Sequence, residues 1–338
     1  MQIMENVTFE TFRDEIFPAH KPVVLKNYVG HWPAVQAGLR SSADMVAYLK
    51  THDQGRPTDV VYAPPEIKGK FFYTHDLGGL NFSRKSERIS TALDQLLDAQ
   101  DAENPTSIYI QSVEAAEYLP GFVRENTLDI LDSSITPRIW MGNRITVQTH
   151  SDLKENIACV VAGKRRFTLF PPEQLANLYI GPFERTLSGP PVSMVRLDDI
   201  DYEKYPRFKQ AQASALVAEL GPGDAIYIPY HWWHHVQSLN AFNVLVNFWW
   251  NDARPDLGSA FDCLLHGLLS LRDLPEEQRD VWRMVFDHYV FGVNGDPAEH
   301  LPANVRGAIG PHSPEMRQNM RMMLLKAMAH QAGVAPPR

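Results

Sequence analysis

The sequence predicts a mainly β protein with helical appendages, its core an antiparallel sandwich or barrel. Three observations predict it. From residue 106 to 254, short apolar and aromatic runs alternate with turn signals such as Ala162-Gly163-Lys164 and Gly221-Pro222-Gly223-Asp224. Beyond Pro255 the apolar residues recur at helical spacing instead. The 338 residues, 44% apolar and 21% charged, have ordinary globular composition. At roughly 150 residues per domain they allow two units, or one large β domain with appendages.

Residues 1–105 mix short helical stretches with the proline-punctuated segments Lys21-Pro22-Val23-Val24-Leu25 and Ala63-Pro64-Pro65, as expected of an N-terminal α+β region packed on the core. Residues 106–254 are the core, with strands expected at 107–113, 138–152, 157–161, 165–170, 224–229, 234–238 and 243–250. Between the fourth and fifth of these lies an insertion, residues 173–220, with little strand pattern and with Pro182, Pro190, Pro191 and Pro206. Loops of this length are usually functional. In residues 255–338, Leu257, Phe261, Leu264, Leu265 and Leu268 mark one amphipathic helix, and Met316, Met320, Met323 and Leu324 a second. Such faces exceed what a short appendage buries on itself, so a homodimer through the C-terminal helices is expected, packing on the outside of the β domain being the alternative.

Charge and cysteine usage narrow the function classes. A net charge of −8 gives no general attraction for phosphate backbones or anionic lipid, and Lys164-Arg165-Arg166 is too short a cluster for a nucleic-acid patch. Neither nucleic acid nor membrane is an expected partner. Cys159 and Cys263 are too far apart for a CxxC site and too few for a disulfide framework. The acidic start (Glu5, Glu10, Asp14, Glu15) is not a signal peptide, and a cytoplasmic location is expected.

The chemistry concentrates in the strand region. His150-Ser151-Asp152 places an imidazole and a carboxylate two residues apart, on one face of a strand. A second histidine cluster follows in Tyr230-His231-Trp232-Trp233-His234-His235-Val236. By period two, Trp232, His234 and Val236 share the more apolar face, so His234 is the inward-pointing imidazole; His231 and His235 are expected to be structural or solvent-facing. Two imidazoles and a carboxylate leave adjacent coordination positions open, the facial arrangement of non-haem Fe(II) oxygenases. Zinc hydrolases also use this ligand set, but the HExxH helix is absent, as are GxGxxG, GxxxxGK[ST] and GxSxG motifs.

An oxygenase of this kind takes two electrons from a co-substrate, and 2-oxoglutarate needs a cation for its far carboxylate. Arg165 alternates with apolar Phe167 and Leu169 on one face of its strand, where an unpaired guanidinium is costly and a bound carboxylate relieves the cost. An arginine that reaches solvent or pairs with an acidic side chain fits the same pattern. Tyr109, Gln111, Asn156 and Asn247 are further candidate polar groups.

Together these strings resemble the cupin-like JmjC hydroxylases, and among them the asparaginyl hydroxylases: Lys21-Pro-Val-Val-Leu-Lys to Trp32-Pro33, Trp140-Met-Gly, His150-Ser-Asp, Gly163-Lys-Arg-Arg-Phe-Thr-Leu-Phe-Pro-Pro172, Gly221-Pro-Gly-Asp-Ala-Ile-Tyr-Ile-Pro229, Trp232-Trp-His-His235 and Val246-Asn-Phe-Trp249. The resemblance covers residues 20 to 252. It implies a double-stranded β-helix, a jelly roll, that binds Fe(II) through His150, Asp152 and His234 and uses 2-oxoglutarate and O2. It also implies that Tyr109, Asn156 and Asn247 line the co-substrate pocket; Gln111, Gln148, Trp232 and Trp249 are expected toward the substrate. In these hydroxylases the co-substrate cation is usually lysine, where this chain has Arg165. A hydroxyl residue usually stands at Val147, so that contact is missing or falls to Thr146 or Thr149. Pro191 and Val192 replace a polar pair that holds peptide. The expected activity is hydroxylation of a C–H bond on a protein or peptide side chain. A small-molecule hydroxylase and a non-redox metal-binding sensor or isomerase are the alternatives.

Overall fold

The structure, a computed structural model, describes residues 1–335 and divides into two units, Met1–Asp252 and Ala253–Arg338. The first unit is a two-sheet jelly roll. In chain order its strands are β1 (Gln2–Met4), β2 (Val23–Leu25), β3 (Pro57–Ala63), β4 (Ser83–Arg88), β5 (Ser107–Glu114), β6 (Pro137–Gly142) and β7 (Thr146–His150). They are followed by β8 (Glu155–Ala162), β9 (Arg165–Phe170), β10 (Leu216–Leu220), β11 (Ala225–Ile228), β12 (Trp233–Ser238) and β13 (Asn243–Trp250). The large sheet runs β1-β2-β11-β8-β13-β6-β5-β3-β4 and the small one β10-β9-β12-β7.

Both faces of the large sheet are covered. On the outside, the helices Pro33–Arg40, Ser42–His52 and Ile89–Asp98 bury Val35, Met45, Leu49, Leu93 and Leu96 against Ile110, Ile139, Ile157, Cys159, Val244 and Val246. On the inside, Ala158, Val160, Ile226 and Leu245 meet Phe167, Leu169 and Val236 of the small sheet. Burial of both faces accounts for the unbroken apolar run Ile157–Val161, which lacks the alternation of a half-exposed strand. Residues 1–105 are woven into this sheet rather than laid upon it, since they supply β1 to β4.

Two local departures from the sequence expectation have clear causes. The segment 138–152 is two strands rather than one, because Asn143 turns the chain: its Oδ1 accepts from the Ile108 amide at 3.1 Å and its Nδ2 donates to the Thr106 carbonyl at 2.8 Å. Within the insertion, β10 pairs antiparallel with β9 and forms an edge of the small sheet. The Gly163 turn joins β8 to β9 with φ +73, and a Cβ there would lie 2.4 Å from Asn243 Oδ1.

Asp224 shows why the Gly-Pro-Gly-Asp turn precedes β11. Its buried carboxylate accepts from Lys26 Nζ at 2.9 Å, the Asn27 amide at 3.0 Å and the Gly221 amide at 3.0 Å, tying the segment after β2 to this turn. Asp224→Ala leaves these donors unpaired and is expected to lower stability by about 2 kcal/mol, read from the urea midpoint at unchanged slope.

The second unit contains the helices Ala260–Ser270, Glu276–Tyr289 and Pro314–Gln331. The middle helix is an addition to the two expected. No residue of the first two is buried, and Leu264, Leu265, Trp282, Phe291, Met323 and Leu324 are exposed.

Candidate metal centre

Strand pairing builds the centre. β12 lies antiparallel to β7 with His234 directly opposite His150, so the two imidazoles stand side by side with ring centroids 4.3 Å apart. Asp152 follows β7 by two residues, its carbonyl accepting from the His231 amide at 3.1 Å, and places Oδ2 3.5 Å from His234 Nε2. One ligand atom from each of His150, Asp152 and His234 falls within 4.8 Å of the others. His150 Nδ1 donates to the Gln148 carbonyl at 2.8 Å and His234 Nδ1 to the Trp232 carbonyl at 3.0 Å. A carbonyl only accepts, so each Nδ1 holds a proton, and in the neutral tautomer that this fixes, each Nε2 is the atom that presents a lone pair. Burial, reinforced by the neighbouring His150, pushes His234 down to about 4, so its ring is neutral at pH 7. Asp152 Oδ2 is buried with no hydrogen-bond partner among the described residues. An orphaned carboxylate oxygen between two imidazole lone pairs fits a divalent cation, and the site is compatible with iron.

The centre opens into a cavity of about 110 Å³ between the sheets. Since a water needs some 10–15 Å³ by this measure, there is room for a small acid and the tip of a side chain, and not for a chain segment. Arg165 projects into it from β9, 1% exposed, with Nε and Nη2 unpartnered. Burial lowers its proton affinity, opposed by its hydrogen-bonded neighbour Tyr109, and among the described residues no carboxylate pairs with it. Asn247 Oδ1 accepts from Trp140 Nε1 at 2.6 Å while its Nδ2 donates to Asn156 Oδ1 at 3.3 Å. The Asn156 oxygen is thereby engaged. Gln148 donates to the Phe71 carbonyl at 3.3 Å, and its Oε1 is unpartnered, as is Trp249 Nε1.

Tyr109, Gln111, Gln148, Asn156, Arg165, Asn247 and Trp249 thus line one cavity with the three candidate ligands. Two residues expected there do not. Thr149 is fully buried and does not line the cavity: the β7–β12 register shifts between His234 and Val236, so simple alternation fails here and the positions beside the cavity are Thr146, Val147 and Gln148. Trp232 opens instead on a separate cleft and donates through Nε1 to the His20 carbonyl at 3.2 Å. The strand period starts only at Trp233, after a turn in which His231 takes φ +62. His235 points away from the ligands, 1% exposed, and burial pushes it down to about 4.

Sequence reasoning missed most of the cavity mouth: Phe71, Phe82, Leu187, Ser188 and Pro190. They come from irregular segments without a period to read. Val192 is also at the mouth, bridged to the backbone of His150, and Trp140, quoted only as a motif, proves to orient Asn247.

The chain belongs to the cupin-like domain family, whose model matches residues 9–255. The jumonji-type resemblance carried by the motifs agrees with its relatives. It is 25% identical over 252 residues to lysine-specific demethylase 8 of Xenopus tropicalis, covering 72% of this chain and 51% of that protein. It is 27% identical over 319 residues to tRNA wybutosine-synthesizing protein 5 of Gallus gallus, covering 83% and 92%. It is 27% identical over 289 residues to the human bifunctional peptidase and (3S)-lysyl hydroxylase JMJD7, covering 76% and 85%. The chain spans about half the length of the first of these. No helix among the described residues is long and apolar enough to cross a membrane.

Proposed function

We propose that the protein is an Fe(II)- and 2-oxoglutarate-dependent dioxygenase that hydroxylates a C–H bond on a protein or peptide side chain. The observation that carries this reading is the pairing, in one small cavity, of a His150–Asp152–His234 donor set with a buried guanidinium that no carboxylate among the described residues pairs. Iron, when bound, activates O2, so that one oxygen atom enters the substrate as hydroxyl and the other enters succinate as 2-oxoglutarate loses CO2. The residues hold and exclude. Arg165 receives the far carboxylate on its free Nε and Nη2 edge, with the Tyr109 hydroxyl beside it. Asn156, its oxygen occupied, turns its amide hydrogens to the co-substrate. Phe71, Phe167 and Val236 keep water from the reacting groups.

The cavity admits one side chain of a polymer or a small molecule of similar size. A lysyl hydroxylase and a lysine demethylase among the relatives favour polypeptide, whereas the similarity to a tRNA wybutosine-synthesizing protein makes a nucleoside the competing substrate. Incubating iron-loaded protein with 2-oxoglutarate and a proteome digest is expected to give succinate together with peptides heavier by one oxygen. Turnover of a free amino acid or an RNA pool with no peptide oxidised contradicts the peptide reading.

A homodimer through the C-terminal helices belongs to the same proposal, supported by the exposed leucines of Ala260–Ser270 and the exposed Met323 and Leu324. Light scattering is expected to give twice the 38.3 kDa chain mass, and Leu264→Glu with Leu265→Glu to halve it. A full-length monomer contradicts it.

A further inference from the structure

A second cleft, about 660 Å³ and open to solvent, adjoins the metal cavity. Gln111, Leu187 and Ser188 line both. Register explains the continuity. Tyr109 and Gln111 stand two apart on one face of β5, and the same face crosses β3 at Val61 and Asp59 to β4 at Arg84 and Ser86, the free edge of the large sheet. Pairing of β5 with β6 breaks between Ile110 and Val113. There Ser112 takes φ +50 while its carbonyl and hydroxyl accept from Arg138 Nη1 at 3.0 Å, which fixes the bulge in the cleft wall.

The opposite wall is pinned as well. Arg84 Nη2 donates to the Leu187 carbonyl and Tyr73 to the Arg185 carbonyl, each at 2.7 Å, so the segment 185–188 stands between cavity and cleft as a fixed partition. The lining is polar. Ser86, Ser112, Thr186 and Ser188 offer hydroxyls that both donate and accept, and Gln111 an amide. The charged side chains are one exposed carboxylate, Asp59, which no described cation pairs, and Arg84, partly engaged by Leu187. A phosphodiester chain needs several cations and is repelled by Asp59. A polypeptide backbone, an alternation of donors and acceptors, suits this wall.

We propose that this cleft binds the main chain of a polypeptide beside the residue whose side chain enters the metal cavity, and that Asp59 selects lysine or arginine in that flank. The proposal rests on the reading of the cavity as the oxidising site of a polypeptide hydroxylase, and binding is therefore measured apart from turnover. Full-length protein, immobilised, is mixed with a short degenerate peptide library and, separately, with a degenerate RNA pool. The retained peptides are expected to be enriched in lysine and arginine. Asp59→Lys, an exposed change on β3, is expected to cut that enrichment by about fivefold and to favour acidic residues instead. Ser86→Trp, which fills the cleft from an exposed edge position, is expected to reduce peptide retention by about tenfold. Basic enrichment unchanged in Asp59→Lys, peptide retention unchanged in Ser86→Trp, or retention of RNA in place of peptides overturns the proposal. A protein that retains peptides in this pattern but fails to bind 2-oxoglutarate leaves the subsite standing and refutes the dioxygenase reading.

Discussion

Asp152→Ala is expected to abolish metal binding, with affinity falling by more than about 100-fold, beyond what is typical when only the support of a ligand is removed. The reason is the donor set: His150 and His234 alone offer two neutral nitrogens, and the charge that balances a divalent ion is lost. His150→Ala and His234→Ala are expected to behave alike, whereas His235→Ala retains the metal because its ring faces the other side of β12. Elemental analysis after anaerobic dialysis against Fe(II) reads the result. A folding defect is separable. In the metal-free protein Asp152 Oδ2 is an unpartnered buried acceptor, so Asp152→Ala is expected to melt no lower than the parent. Fe(II) should raise the melting temperature of the parent only.

Arg165→Met is expected to weaken 2-oxoglutarate binding by about 1.5–3 kcal/mol while leaving iron bound. The same substitution should stabilise the unliganded protein by roughly 1 kcal/mol or more, since it exchanges a buried guanidinium with two unpartnered nitrogen positions for an apolar side chain. Opposite signs on binding and on stability distinguish a ligand-binding cation from a structural one. Arg165→Lys keeps the charge and loses the planar fork, so its affinity should fall between the two. Calorimetric titration of 2-oxoglutarate into the Fe(II) protein under argon measures all three.

The parts of this site legible in the sequence are those set by a strand period. His234 rather than His235 faces the cavity because alternation holds from Trp233 onward, and the same rule turns Arg165, Phe167 and Leu169 inward. Trp232 was grouped with His234 by extending that alternation one step into a turn, where His231 at φ +62 breaks it. Thr149 does not line the cavity because the pairing of β7 with β12 slips by one residue between His234 and Val236, an irregularity that alternation does not foresee. The breadth of the large sheet was not legible, since β2 beside β11 and β3 beside β5 are pairings between distant segments that leave no local signal. Nor was β10, whose side chains are mostly half-exposed or exposed, or the segment 185–190 at the mouth, held by single hydrogen bonds from Tyr73 to the Arg185 carbonyl and from Arg84 to the Leu187 carbonyl rather than by any repeating pattern.

The central claim is that one 2-oxoglutarate binds between the triad and Arg165. Adding 2-oxoglutarate to the anaerobic Fe(II) protein should produce a weak visible charge-transfer band that saturates at one equivalent, is absent in Asp152→Ala, and requires a higher 2-oxoglutarate concentration in Arg165→Met. No band from the iron-loaded parent, or an identical titration in Arg165→Met, would contradict the account.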